Sequence, residues 1–389
     1  MLRLWLRCHR RCMTSTDPPG SERSSRWSTR ALSLRLPDFP WDRLEPLRQI
    51  AQAHPVGVVD LSVGTPVDDT PELIQAELRA ATNAAGYPLT AGSPDFQRAA
   101  VAWLQRRLGV QVDAMLPVIG TKELVAGLPT QLGMGRGDLV VIPGLAYPTY
   151  EVGARIAGAD VLVADAPNFE PGHGRTLVWL NSPGNPNGRI LSVAEQRTWV
   201  DWARRNDAVV VSDECYAELW WTEQPISLLH ESVSGGDHRG LLAVHSLSKR
   251  SNLAGYRAGF ITGDSALVAE LLDVRRNAGL MIPAPIQAAA VVALDDDEHV
   301  AEQVARYGRR RTALAAALTA AGFRIEHSGA GLYLWATRDE DCWKTASWLA
   351  ERGILVALGD FYGVAGHNFV RLALTATDER ISAAVARLV

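Results

Sequence analysis

The sequence has few cysteines, no long hydrophobic run and no excess of charge of one sign. A chain of 389 residues with a net charge of −4 gives no reason to expect binding to nucleic acid or to an acidic membrane surface. No run of about 18 apolar residues occurs, so no membrane span is expected. Cys8-His9-x-x-Cys12 lacks the second pair that a zinc site needs, and we predict no metal. The scattered cysteines favour a reducing, cytoplasmic compartment over a disulfide framework: Cys8, Cys12, Cys215 and Cys342.

Residues 1–33 differ in composition from the rest of the chain. They are rich in Arg and Ser, and Asp17 and Glu22 are their only acids. The composition fits a transit peptide or an untranslated extension upstream of a start such as Met13. We predict a disordered tail without an assigned function, too short for a DNA-binding domain.

Residues 61–294 alternate short apolar runs with helical patterns, as α/β sheets do. Strands that are apolar along their whole length are expected where helices cover both faces of a sheet. We predict a large domain over 61–294. Its strands and its clearest helix are Leu139–Pro143, Leu177–Leu180, Ala208–Ser212, Leu241–Val244, Ala258–Thr262 and, as the helix, Val193–Arg205.

A smaller α+β domain is predicted over 295–389, with residues 34–60 packing against it. An Ala-rich amphipathic stretch up to Ala321 predicts a connecting helix. Strand and helix patterns follow it at Gly331–Trp335, Trp343–Glu351 and Asn368–Leu372.

Polar side chains follow three of the large-domain strands. Asn185 comes after the second strand, Asp213 directly follows the third, and Ser246 and Lys249 follow the fourth. In open α/β sheets, ligands bind beyond the carboxyl ends of the strands. The sequence therefore predicts a functional site at this edge of the sheet.

The most informative stretch is Ser246-Leu-Ser-Lys249, followed by Arg257 eight residues after the lysine. A lysine at the end of a buried strand is costly to keep charged, which suits imine chemistry. Arg257 and the hydroxyls of Ser246 and Ser248 suit a phosphate dianion. An imine-forming amine beside a phosphate site suggests pyridoxal 5'-phosphate (PLP).

Two other interpretations of this stretch exist. Ser246-x-x-Lys249 also fits the nucleophile motif of penicillin-binding enzymes, but those carry a later Lys-Thr-Gly triplet. The nearest sequence here is Lys344-Thr345-Ala346, and no Ser-Asp-Asn accompanies it. A surface lysine in a loop is the other interpretation.

Four further positions can carry chemistry. Asp213 can face a pyridine nitrogen, or it can cap a helix. Asn185 lies in a turn-forming sequence, and Gly120-Thr-Lys-Glu123 places free backbone N–H groups where a phosphate can bind. Arg371 interrupts an apolar strand, so its charge should meet an acid or an anionic ligand.

Together these residues resemble the class I/II PLP-dependent aminotransferases of fold type I, from about Pro37 to the C-terminus. The lysine stretch is similar to the PLP-attachment signature of that family through to Gly259. The resemblance implies an α/β fold whose large domain holds a mostly parallel seven-stranded sheet covered by helices, with a smaller α+β domain. It also implies a transaminase that uses amino acids and 2-oxo acids, and a homodimer with shared active sites.

The resemblance assigns catalytic roles. Lys249 attaches the cofactor and moves the proton between the substrate Cα and the cofactor, while Asp213 pairs with the pyridine nitrogen. Tyr216 and Asn185 hydrogen-bond the phenolic oxygen of the cofactor, and Tyr147 stacks on its ring.

The resemblance assigns binding roles as well. Arg371, helped by the Gly64 backbone, clamps the substrate α-carboxylate. Tyr87 reaches the phosphate of the neighbouring subunit. The phosphate is held within one subunit by Thr121, the Lys122 backbone, Ser246, Ser248 and Arg257.

Within the family, four stretches are similar to the succinyldiaminopimelate aminotransferases of actinobacteria: Leu36–Asp42, Val59–Val67, Ser246–Asn252 and Arg371–Glu379. This implies that glutamate and N-succinyl-2-amino-6-oxopimelate react, as in lysine and diaminopimelate biosynthesis. An aminotransferase for aspartate or aromatic amino acids and a PLP-dependent C–S β-lyase are the alternatives. The sequence identifies no group that binds the distal substrate carboxylate.

Overall fold

The structure is a computed structural model that describes residues 32–388. The predicted tail up to residue 31 and the Cys8-His9-x-x-Cys12 pattern lie outside the described residues. Leu32 and Ser33, which the prediction included in the tail, belong to a short 3₁₀ helix, Leu32–Arg35. From Asp38 onward the described chain forms one compact unit. Within the described range, no helix combines the length and the apolar character needed to cross a membrane.

Thirteen strands form three sheets in the described part of the chain. They are β1 (Val59–Asp60), β2 (Met115–Ile119), β3 (Leu139–Ile142), β4 (Asp160–Val163), β5 (Thr176–Asn181), β6 (Val209–Asp213), β7 (Leu241–Ser246), β8 (Ala258–Gly263), β9 (Arg324–Glu326), β10 (Tyr333–Thr337), β11 (Ile354–Leu355), β12 (Ala357–Leu358) and β13 (Val370–Ala373).

Thirteen α-helices accompany these strands between residues 32 and 388. They are α1 (Glu45–Gln52), α2 (Glu72–Ala80), α3 (Pro94–Trp103), α4 (Thr121–Gln131), α5 (Thr149–Ala157), α6 (Val193–Arg205), α7 (Glu231–Ser234), α8 (Leu247–Arg250), α9 (Ser265–Ala278), α10 (Ala284–Asp295), α11 (Glu298–Ala320), α12 (Cys342–Glu351) and α13 (Asp378–Leu388).

The large sheet confirms the predicted mostly parallel, seven-stranded α/β architecture. Its strand order is β2-β8-β7-β6-β5-β3-β4, and only β8 runs antiparallel, to both of its neighbours β2 and β7. The strands from β7 to β4 are parallel in every pairing. The carboxyl ends of β5, β6 and β7 therefore meet at one edge.

Successive residues of the central strands bury opposite faces of this sheet, as pleated strands require. On one face, Val211 and Val244 pack with residues of α4, α5 and α9. On the other, Val210 and Ala243 pack with residues of α3, α6 and α10. Because both faces are covered, the strands read as continuous apolar runs and only their ends carry polar side chains.

A third core lies around the four-stranded antiparallel sheet β12-β13-β10-β9. Residues of α1 and β1 join this core, and β1 pairs in parallel with β11. Arg310 of α11 binds both carboxylate oxygens of Asp68, at 2.7 and 2.8 Å, with its side chain 3% exposed. This pair anchors the segment that follows β1, which contributes backbone groups to the site described below.

Candidate active site

Arg371 is a buried cation that pairs with no carboxylate of the described residues. It lies on β13, it is 2% exposed, and its guanidinium donates to Asn185 Oδ1 at 2.9 Å and to the Ser62 carbonyl at 2.8 Å. The guanidinium carbon lies 3.9 Å from the ring centre of Tyr333 and 5.0 Å from that of Tyr362. Among the described residues no carboxylate lies within 4.0 Å of Arg371, and its Nε has no hydrogen-bond partner.

Lys249 lies on the short helix α8, at the carboxyl end of β7. Its ammonium donates a hydrogen bond to the Gly64 carbonyl. Burial lowers the pKa of Lys249, and the nearby cations Arg371 and Arg257 lower it further, against the opposing effect of Tyr333. The shift increases the fraction of the neutral amine, which is the form that reacts with carbonyl groups.

Asp213 ends β6 as a buried carboxylate. One of its oxygens accepts from the Tyr150 hydroxyl at 2.9 Å, and the other accepts from the Cys215 backbone N–H at 3.2 Å. Burial raises the pKa of Asp213, while these hydrogen bonds oppose the rise. Tyr150 is fixed in turn because its ring stacks on Trp179, with 4.8 Å between ring centres.

The first turn of α4 and the loop before β8 form a cationic cradle. Gly120 has a φ of +73°, and a Cβ built there would overlap the Arg257 guanidinium. Among the described residues Arg257 has no carboxylate within 4.0 Å; it donates to the Ala254 carbonyl at 2.6 Å. A Cβ built on Gly259 would lie 3.1 Å from Thr121 Cγ2 and 3.6 Å from Ser246 Cα. The structure thus brings Thr121, Ser246 and Arg257 together at the N-terminus of a helix, where anions bind.

Three tyrosines line the space between these groups. The Tyr216 hydroxyl lies 3.2 Å from the Tyr333 hydroxyl. Burial raises the pKa of Tyr216, whereas for Tyr333 the cations Arg371 and Lys249 outweigh burial and lower the pKa. Tyr147 packs edge-on against Tyr150, and burial raises the pKa of Tyr147 to about 12.

The remaining predicted site residues have different surroundings. The Ser248 backbone N–H donates to Ser246 Oγ at 3.1 Å, which starts α8. The Nζ of Lys122 lies 5.5 Å from the ring centre of Phe39. Tyr87 is 97% exposed and makes none of the contacts described above.

Several residues of this site are not among the sequence predictions. Tyr150, Tyr333 and the Ser62 carbonyl reach it from distant parts of the chain, and no local pattern marks them.

The arrangement fits PLP on two structural observations. The Gly120 backbone leaves room for the Arg257 guanidinium beside free helix N-terminal N–H groups, which suits a phosphate. The buried Asp213 and the half-buried Lys249 could supply an acid for a pyridine nitrogen and an amine for an imine.

Comparison with known proteins identifies the family. The profile of aminotransferase class I and II matches residues 56–388. The chain belongs to this family. It is therefore a PLP-dependent enzyme that acts on small-molecule amino and 2-oxo acids.

Two curated relatives are similar over most of this aminotransferase. A probable aminotransferase of Mycobacterium tuberculosis is 59% identical over 92% of this chain and 86% of its own length. The 4-dedimethylamino-4-oxo-anhydrotetracycline transaminase of Streptomyces rimosus is 58% identical over 91% of this chain and 99% of its own length.

Solved structures show the same fold. An aminotransferase of Neisseria meningitidis superimposes with a TM-score of 0.83 at 30% identity, covering 92% of this chain and 98% of that one. A probable N-succinyldiaminopimelate aminotransferase of Thermus thermophilus gives a TM-score of 0.80 at 27% identity, covering 90% and 99%.

The residues of the site suit the chemistry of this family. Bound PLP supplies an electron sink for the charge that develops at the substrate Cα. Lys249 is positioned to take and return a proton as a neutral amine. Asp213, held by Tyr150, can keep a proton on the pyridine nitrogen, and Arg371 can hold an anionic substrate group.

Replacing Gly120 by Ala should weaken PLP binding. The new Cβ overlaps the Arg257 guanidinium, and overpacking of this kind typically costs about 1–3 kcal/mol, or roughly 5- to 150-fold in the Kd. Equilibrium titration of the apoenzyme with PLP measures the effect. Gly57→Ala is the matched control, because Gly57 has a φ of +77° but no atom within 4 Å of the added Cβ. Equal loss in both variants would contradict the cradle.

Replacing Asp213 by Ala should slow the half-reaction with an amino acid while PLP stays bound through the phosphate cradle. We expect a loss of roughly 10²- to 10⁴-fold in the single-turnover rate, because the pyridine nitrogen loses its acid partner. Tyr150→Phe removes one hydrogen bond from the same carboxylate and should cost only about fivefold. A rate near that of the wild type in Asp213→Ala would rule out this role.

Proposed function

We propose that this aminotransferase transfers the amino group of glutamate to N-succinyl-2-amino-6-oxopimelate, giving N-succinyl-diaminopimelate and 2-oxoglutarate. The observation that carries the proposal is a pair of cations, Arg371 and Lys122, that have no carboxylate within 4.0 Å among residues 32–388. Glutamate, with two carboxylates, and the oxo acid, with three, could place one carboxylate at each cation. The name of the structurally similar Thermus thermophilus protein supports the same substrate class.

Lys122 is the candidate for the distal carboxylate. It is exposed in the first turn of α4. Partial burial lowers its pKa, and the Arg257 charge lowers it further. Within residues 32–388 no carboxylate lies within 4.0 Å of its ammonium. A cation without a carboxylate partner can pair with the carboxylate of a bound substrate.

Aromatic side chains connect Lys122 with Arg371. Phe39, beneath the Lys122 ammonium, lies 5.5 Å from Trp41 between ring centres. Trp41 in turn lies 5.9 Å from the guanidinium carbon of Arg371. An apolar wall with a cation at each end suits a flexible chain that carries a carboxylate at each end. We therefore assign the α-carboxylate to Arg371 and the distal carboxylate to Lys122.

A second candidate substrate comes from the Streptomyces rimosus relative, which is 58% identical and is named for a 4-oxo-anhydrotetracycline. Aspartate, aromatic amino acids and C–S β-elimination are further alternatives on the same scaffold. The cofactor site does not separate them, because it contacts the part of the substrate that all of them share.

Conversion of the bound cofactor by a panel of substrates tests the proposal. Glutamate should convert the holoenzyme to the pyridoxamine form, and N-succinyl-2-amino-6-oxopimelate should return it, as followed by absorption. If only 4-dedimethylamino-4-oxo-anhydrotetracycline converts the pyridoxamine form back to the starting form, the second candidate is favoured. Failure of glutamate together with pyruvate release from cysteine conjugates would establish the lyase.

In the same assay, Lys122→Met should impair glutamate selectively. Loss of a hydrogen bond between charged groups of about 1.5–3 kcal/mol lowers kcat/KM by roughly 10- to 150-fold. Alanine, which has no distal carboxylate, should react in this variant about as in the wild type. Lys344→Met is the matched control because Lys344 is exposed on α12. A similar loss for both amino acids would contradict the assignment.

We also propose a cytoplasmic homodimer with shared active sites. Tyr87, 97% exposed in the segment between α2 and α3, is free to reach a second subunit. Leu89 beside it is 61% exposed, and exposed apolar side chains of this kind suit an interface. In the described part of the chain, Cys215 and Cys342 are unpaired, consistent with a reducing compartment.

Mixed dimers test the shared site. When Lys249→Ala and Tyr87→Phe subunits are mixed, one of the two sites in each hybrid regains both a wild-type lysine and a wild-type tyrosine. Activity should therefore rise above that of either variant alone. A monomer with full activity during sedimentation would exclude the shared site.

A further inference from the structure

Two buried ionisable side chains, Glu214 and His245, lie directly behind the cofactor site. Glu214 follows Asp213 at the end of β6, and His245 precedes Ser246 at the end of β7. Asp213 faces Tyr150, on the α4–α5 side of the sheet. Glu214 and His245 face the other side. The proposed function gives neither of them a role.

The surroundings of the two groups show which side they face. The His245 ring centre lies 5.2 Å from that of Trp103 and 5.1 Å from that of Phe260, both in the core on the α3 side. Glu214 accepts the Leu228 backbone N–H at 2.8 Å through Oε1. Leu228 belongs to the same core.

Glu214 and His245 face each other without a hydrogen bond. Glu214 Oε2 lies 3.8 Å from His245 Nε2, and both side chains are 2% exposed. Among the described residues, Glu214 Oε2 and both ring nitrogens of His245 have no hydrogen-bond partner. Buried polar atoms of this kind are costly unless they pair, and these two side chains lie within 4 Å of each other.

The charge environment favours neutral forms of both groups. Burial raises the pKa of Glu214 to about 7, against the Leu228 N–H and the hydroxyls of Ser227 and Ser212, while Asp213 adds to the rise. Burial alone lowers the pKa of His245 to about 3. The Arg250 guanidinium on this side faces the Trp103 ring, at 5.6 Å from its centre. A neutral carboxylic acid has one donor, and a neutral imidazole has one acceptor, so the two are complementary.

We propose that Glu214 keeps a proton up to about neutral pH and directs it at His245 Nε2, so that the protonated pair ties the end of β6 to the end of β7. It acts as a positioning pair: Asp213 and the Ser246–Lys249 turn are the next groups along the two strands. An ionised Glu214 would place a second negative charge beside Asp213 and loosen this connection. The positioning role, though not the protonation state, rests on the proposed cofactor roles of Asp213 and Lys249.

Infrared spectroscopy of the holoenzyme tests the protonation state directly. The carbonyl stretch of a buried, protonated carboxylic acid should be present at pH 6 and should fade as the pH rises through about 7. Glu214→Gln should remove this band. Glu195→Gln should keep it, because Glu195 is a half-exposed capping residue whose pKa is lowered. A band that is absent, or that persists in Glu214→Gln, would overturn the proposal whatever the substrate of the enzyme is.

The pH dependence of the thermal midpoint is a second readout that a purely structural side chain would not give. The folded-state pKa of Glu214 exceeds the ordinary value of 4.5, so the folded wild type binds more protons between that value and about 7. As the pH rises through this range, the thermal midpoint of the wild type should fall relative to that of Glu214→Gln. Above about pH 7 the difference between the two midpoints should stay constant. A difference that does not change with pH would contradict a proton on Glu214.

The affinity of the variants for PLP tests the positioning role. Glu214→Gln keeps a neutral donor toward His245 and should bind PLP nearly as well as the wild type. Glu214→Leu loses one hydrogen bond and should bind PLP about tenfold more weakly. If the Leu variant does not fold, His245→Phe removes the acceptor instead and should show the same loss. If Glu214→Gln binds PLP with the same affinity as Glu214→Leu, or as His245→Phe where the Leu variant does not fold, the positioning role is refuted.

Discussion

The site depends on burying the Arg371 guanidinium with no carboxylate partner in the part of the chain that the structure describes. Three parts of the chain hold it: β13, the turn that carries Asn185 after β5, and the Ser62 carbonyl after β1. Burying an unpaired charge is expensive, so the guanidinium is held by neutral acceptors and aromatic faces. These contacts fix its position but leave its charge uncompensated. A carboxylate that enters this site therefore gains a strong partner.

The same constraint shapes the other groups of the site. At the carboxyl edge of the sheet Asp213 is buried and Lys249 is half-buried, and burial shifts the pKa of each in the direction that favours its neutral form. Each is held by one specific contact, the lysine by the Gly64 carbonyl and the carboxylate by Tyr150. Low dielectric surroundings thus prepare an amine for imine chemistry and a carboxyl group for a pyridine nitrogen.

Elements with strong local signals were predicted well from the sequence. The helix Val193–Arg205 has the predicted bounds because Ser192 and Glu195 form a capping box at its start. The fourth predicted strand, Leu241–Val244, extends two residues further to Ser246, because the backbone pairing with β8 continues past the apolar residues. The edge strand β4 was missed, since its apolar run Val161–Val163 spans only three residues and its side chains are half-buried or exposed.

The residues of the candidate site differ in the same way: some have a local sequence signal and others do not. Residues beside a strand end or within a motif, such as Asp213 and Lys249, could be named in advance, and their roles remain predictions. Tyr150 and Tyr333 could not, because their contacts with Asp213 and Arg371 join positions far apart in the chain. Such contacts follow from packing, which single-sequence patterns do not encode.

The most direct test of the Arg371 account is a double cycle between enzyme and substrate. The half-reaction rates of glutamate and of 4-aminobutyrate, which lacks the α-carboxylate, are measured with the wild type and with Arg371→Lys. In the wild type, glutamate should react far faster than 4-aminobutyrate, and Arg371→Lys should remove most of that difference, because lysine lacks the bidentate fork. If Arg371→Lys slows both compounds by the same factor, the guanidinium does not bind the α-carboxylate.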